Sequence, residues 1–133
     1  MPTYDEIENA IIKRVIDAWT PTGYLWTIEN DELDTNDNPW IRIAVTYGAD
    51  QILAIGSSMR KRRQGVCIVQ IFTKPNTAVK ETNRLKQVVI DAFENVNLRD
   101  NVKYSGVVPA RVGVANGWFQ ENVTAIFRWE TRV

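Results

Sequence analysis

The residues that could carry chemistry in this chain are few, and the largest signal among them is a gap. No histidine occurs in the 133 residues, which removes Ser-His-Asp and Cys-His nucleophile systems and the commonest metal ligand together. The one cysteine, Cys67, stands inside the apolar run Val66 to Phe72, where a thiol is expected to be buried and inert. A lone cysteine also excludes an intrachain disulfide framework and a multi-cysteine zinc site. Carboxylates are plentiful, but no pair has a setting that marks it as an acid–base couple. Asp34-x-Asn36-x-Asn38 imitates the start of a calcium loop, yet Pro39 takes the place of the sharp-turn glycine and Val45 that of the bidentate glutamate. That segment reads as a solvated loop. The chemistry left is binding, with no enzyme activity, no cofactor and no metal expected.

Two groups could do that binding. Arg60-Lys61-Arg62-Arg63 is the densest charge run, bounded by Gly56 and Gly65. It fits contact with DNA phosphates or with an acidic protein surface. On sequence alone it fits better a solvated turn tip whose charges keep neighbouring strands from pairing wrongly. No aromatic residue interleaves with it, so base stacking is not expected. The second group comes from five tryptophans, Trp19, Trp26, Trp40, Trp118 and Trp129. Most should be core anchors. Trp118 and Phe119, beside a turn, are the candidates for an exposed interface anchor.

The elements that must position these groups follow from periodicity. Thr3-Tyr4-Asp5-Glu6 has the form of a capping box, and Ile7, Ile11, Ile12, Val15, Ile16 and Trp19 form a helical stripe that Pro21 and Gly23 end. A helix is therefore expected over residues 4 to 19. Short strands are expected over 24–30 and 51–55. Residues 40–47 alternate, with Ile41, Ile43, Val45 and Tyr47 on one face. Residues 66–72 are almost continuously apolar and read as a central strand buried on both faces. A second helix, 78–95, carries Leu85, Val88, Val89, Ala92 and Phe93 on one side. Asn116-Gly117 predicts a hairpin into a last strand over 118–130. The sum is an α+β domain, residues 1–133, with one antiparallel-dominated sheet and the N-terminal and second helices packed on it.

Composition narrows the classes further. Sixteen Lys+Arg balance sixteen Asp+Glu, and 44% of residues are hydrophobic. An ordinary globular balance with zero net charge tells against a dedicated nucleic-acid binder. No apolar run is long enough to span a membrane, and the acidic start Met1-Pro-Thr-Tyr-Asp-Glu lacks the layout of a signal peptide. The protein is expected to stay in the compartment where it is made.

Taken in order, Ile7-Glu-Asn-Ala-Ile-Ile-Lys-Arg, Pro39-Trp-Ile-Arg-Ile43, Gln51-Ile-Leu-Ala-Ile-Gly56, Arg62-Arg-Gln-Gly65, Val66-Cys-Ile-Val-Gln-Ile-Phe72 and Gly117-Trp-Phe-Gln-Glu-Asn-Val123 resemble the tail-terminator (tail-completion) proteins of long-tailed bacteriophages. Thr73-Lys-Pro-Asn-Thr77 departs from that pattern by lacking a glycine. The resemblance implies a homohexameric ring on the last ring of the tail tube, stopping tube growth and presenting a surface for head joining. Its implied partners are other copies of itself, the tail tube protein and a head-completion or neck protein, with DNA passing close to the ring and no membrane. The implied location is the host cytoplasm during assembly, then the head-proximal end of the virion tail. A neck or head-completion connector, or a generic α+β interaction module, is the alternative.

Overall fold

The computed structural model describes residues 3–28, 38–54, 60–75, 79–94 and 102–132. It begins with α1 (Tyr4–Trp19). The Thr3 hydroxyl accepts the Glu6 N–H at 3.2 Å, satisfying one of the first turn's orphaned donors. Ile7, Ile11, Val15 and Trp19 recur every fourth residue and are all buried, so one stripe of the helix faces the rest of the molecule. A 3-10 turn, Thr20–Thr22, ends it. The Trp19 indole N–H donates to the Tyr24 and Leu25 carbonyls, each at 3.1 Å, and ties the helix end to the first strand.

The strands are β1 (Leu25–Ile28), β2 (Trp40–Tyr47), β3 (Gln51–Ala54), β4 (Arg60–Thr73), β5 (Lys103–Ala115) and β6 (Trp118–Arg132), with α2 (Val79–Glu94) between β4 and β5. They form one six-stranded sheet in the order β1-β2-β4-β6-β5, with β3 pairing β4 beyond the end of β2. Among the described strand pairs, only β1–β2 is parallel. The fold is α+β with an antiparallel-dominated sheet, in the element order expected. Both helices pack on one face, where Leu85, Val89 and Phe93 of α2 join the α1 stripe against Ile41, Ile43, Val69, Ile71, Val123 and Phe127.

Two expectations change here. Residues 66–72 are not buried on both faces: Cys67, Val69 and Ile71 are sealed beneath the helices, whereas Val66, Ile68 and Gln70 on the opposite face are only partly buried. Among the described residues, two helices cover one face of the sheet and no helix covers the other, where Trp40 and Phe72 bury each other at one end. The basic run is also not a turn tip. Arg60–Arg63 opens β4, which pairs with β6 over fourteen residues from Arg60↔Arg132 to Thr73↔Phe119 without a register shift. A ladder partner is available on that side, so the backbone of the charged residues is taken into the sheet. Gly56, the start of that segment, lies outside the described residues, as does the calcium-like loop up to residue 37.

Two glycines are required by geometry. Asn116 (φ 54°) and Gly117 (φ 81°) are both left-handed, as a type I′ hairpin turn demands. A Cβ on Gly65 would overlap the Thr46 carbonyl oxygen and come within 2.8 Å of the Phe127 ring. Only glycine lets β2 and β4 close at that point.

Candidate functional site

Alternation along an unbroken ladder sorts the candidate residues by face. Odd-numbered β4 residues continue the helix-covered face of Cys67, Val69 and Ile71, and even-numbered ones continue the open face. Arg60 and Arg62 therefore stand on the open face, where both approach Glu130, at 3.7 and 3.8 Å. Arg63 stands on the covered side, 4.6 Å from the centre of the Tyr4 ring on α1 and 3.6 Å from Asp50. Lys61 lies on the same side as Arg63 by register. The run is thus two pairs pointing in opposite directions, and Arg63 is engaged inside the molecule.

Trp118 lies on the open face, at the other end of the sheet. It is half-buried rather than free: the Trp40 ring meets it edge-on at 6.0 Å, and the Lys74 ammonium sits 4.4 Å above it. Trp40 in turn stacks on Phe72 at 4.1 Å, with the Arg42 guanidinium over both rings at 5.3 and 5.8 Å. These contacts fix a cationic aromatic cluster, each cation–ring pair contributing ~0.5–1 kcal/mol where exposed. Phe119 faces the other way, beneath Arg111 at 5.4 Å. More exposed apolar residues lie elsewhere, among them Val108, Val112 and Val114 on β5, Ile52 on β3, Val79 on α2, Trp26 on β1 and Ile126 on β6.

The sequence reading did not single out three features. Glu121 is almost completely buried, with Arg111 Nε at 2.9 Å and Lys86 Nζ at 3.4 Å. This carboxylate clamps the β5–β6 hairpin to α2. On the open face, Lys103 and Arg128 lie directly opposite each other in the β5–β6 register, Lys103 exposed and Arg128 half-buried. Polar residues at even positions of β6, Gln120, Asn122, Thr124 and Arg128, were the available signal for that face. Between its basic and aromatic ends lie Val66, Ile68, Ile126 and Val108, beside a cleft of about 330 Å³ lined by Thr46, Tyr47, Gly48, Gln64, Gly65, Val66 and Ile126.

The titratable groups fit a binding surface better than a reactive one. Burial, with a smaller contribution from Glu8, pushes the Cys67 thiol up to about 12, so it stays protonated. Burial and then the hydrogen bond to Glu8 raise the Tyr47 phenol well above its ordinary value. The Arg84 hydrogen bonds hold the Glu81 carboxyl below the usual range. Among the described residues, no group of three His, Cys, Asp or Glu could hold a metal ion, and no helix is long and apolar enough to cross a membrane.

A family model described as "Phage tail terminator protein" matches residues 6–126. The chain belongs to the phage tail terminator family. No curated protein matches. Several solved structures match, among them one whose name says nothing of function, at 14% identity over 96% of this chain and 96% of its own, with a TM-score of 0.67. At that identity the likeness establishes the fold of the terminator alone. The family is a structural one, which places the terminator in the virion tail and in contact with other tail or head components.

Proposed function

We propose that the terminator acts as an oligomeric ring, most simply a homohexamer, that caps the tail tube, stops its polymerisation and provides the surface for head joining. The observation that carries this is the family match across residues 6–126. The physics agrees with it. A tube grows through head-to-tail contacts that leave a competent end at every step, so a terminator must reproduce one half of that contact and omit the other. Such work needs complementary surfaces, and no bond is made or broken. In this reading the whole chain acts as one domain without cofactor or metal, assembles in the host cytoplasm, and ends at the head-proximal end of the tail.

Arg60, Arg62 and Trp118 are the proposed contacts on the open face, to a neighbouring subunit or to the lumen through which DNA passes. Lys61, Arg63 and Phe119 belong to the helix-bearing side in the same proposal. The test is to add the terminator to growing tube protein and measure tube lengths by electron microscopy. Arrest at about one ring per tube end, unchanged after chelation, is expected. Tubes that continue to lengthen with terminator bound, or rings that bind only the head portal, would count against capping.

A further inference from the structure

The two layers of the terminator carry opposite charge on their outer sides. On the open sheet face, Arg42, Arg60, Arg62, Lys103 and Arg128 are set against Glu130 alone among the described residues. On the exposed side of the helices, Lys13 is paired with Asp17 at 3.0 Å and Arg84 with Glu81 at 2.8 Å. Removing those pairs leaves Asp5, Glu6, Asp91 and Glu94 against Lys80, all exposed. A chain with zero net charge is therefore cationic on one broad face and anionic on the other.

The sharpest point on the cationic side is the Lys103–Arg128 pair. Like charges directly opposite each other in adjacent strands disfavour the pairing. Among the described residues, no ion pair is recorded for either. Next to this pair the cleft edge is apolar, with Val66, Ile126 (42% exposed) and Val108 (55% exposed) along the same face.

We propose that the open sheet face docks the helix layer of a second copy of this chain, with Lys103 and Arg128 receiving carboxylates from its α1 and α2. The proposal rests on the ring reading above and names the surfaces that would build the ring. Charge complementarity within one sequence selects a second copy as the occupant. The apolar centre of the face selects protein over nucleic acid, because a phosphate backbone has nothing to bury against Val66, Ile68 and Ile126. The two surfaces differ, so the contact is head-to-tail. It leaves one free face at each end until a ring closes, and a two-fold dimer cannot form through it.

The test uses two charge-reversed chains, Lys103→Glu with Arg128→Glu on the sheet face, and Asp91→Lys with Glu94→Lys on the helix face. Lys103, Asp91 and Glu94 are exposed and Arg128 is half-buried. Thermal melts establish that both fold. Self-association is read by sedimentation velocity at low and high salt, and by chemical cross-linking on tube ends. Each variant is expected to lose about tenfold or more in self-association, high salt to weaken the wild type, and a mixture of the two variants to associate again. The proposal is overturned if the sheet-face variant associates like wild type, if the mixture fails to recover, or if no self-contact forms in either setting. It is also overturned if the sheet-face variant loses only its binding to a short DNA duplex. Tube arrest separates the two readings: wild type that does not arrest tubes sinks the capping function, whereas a sheet-face variant that arrests them as well as wild type sinks only this interface.

Discussion

On the face covered by α1 and α2, β4 and β6 present Cys67, Val69, Ile71, Val123, Ala125 and Phe127, all fully buried. One residue over along the same strands, the opposite face presents Val66, Ile68, Thr124 and Ile126, none of them sealed. Both sets are largely apolar. The difference is that two helices are available and one face receives them. Apolar content in a strand therefore states that a face wants cover, and the supply of other elements decides whether the cover comes from the same chain.

The largest way to test that contrast is to remove bulk from each face. Phe127→Ala is expected to cost about 3–5 kcal/mol, as for a fully enclosed aromatic. Ile68→Ala, half-open to solvent, should cost about 1 kcal/mol or less by area. Urea denaturation measures both, and equal losses would mean the open face is covered in the free protein. A comparable effect is expected where charge is buried on the covered side. Replacing Lys86 and Arg111 by Met strands the Glu121 carboxylate and should cost about 3 kcal/mol, as for a broken buried ion pair. Adding Glu121→Leu should recover most of that loss; no recovery would assign the cost to packing.

Gly65→Ala should follow at about 1–3 kcal/mol, because a methyl there presses on the Thr46 carbonyl and the Phe127 ring. A neutral outcome would show that β2 yields easily. The smallest effect is a pH slope. The buried Cys67 thiol titrates near 12, against about 9 when exposed. Unfolding then lets it ionise at lower pH, so the stability it contributes is complete below pH ~9 and fades as pH rises toward 12. Cys67→Ala should flatten the wild-type decline over that window, measured by denaturation at stepped pH. Identical slopes would show that the thiol is not held away from solvent.

How much of this was legible in the sequence varies from one element to the next. Thr3 and Glu6 mark the start of α1, the alternation of Trp40 to Tyr47 marks β2, and Asn116-Gly117 marks the hairpin; in each, the signal is local and the structure follows it. The start of β4 was hidden because Arg60–Arg63 has neither apolar content nor alternation. Its strand state comes from β6 lying alongside. Most of β5 was hidden for a related reason, since Gly106, Pro109 and Gly113 interrupt any periodic pattern. The candidate site was half legible. Residue type identified the basic run and Trp118, but only register shows that Arg60 and Arg62 point away from Lys61 and Arg63. Lys103, distant in sequence from Arg128, could not be joined to it before the strands were paired.

The outer rim of the sheet has a consequence for how copies of this chain can live together. β5 carries exposed Val108, Val112 and Val114 along an edge of thirteen residues, the kind of border on which strands from other molecules recruit one another without limit. Here the border is spoiled. Register breaks fall between Tyr104 and Gly106 and again between Arg111 and Gly113, and Pro109, in the stretch between them, has no N–H to give. An incoming strand meets a rim whose spacing changes twice within ten residues. Runaway zippering of folded subunits is thereby braked, and side chains on broad surfaces, each able to say no to the wrong neighbour, are left to govern which molecules join and when the joining stops.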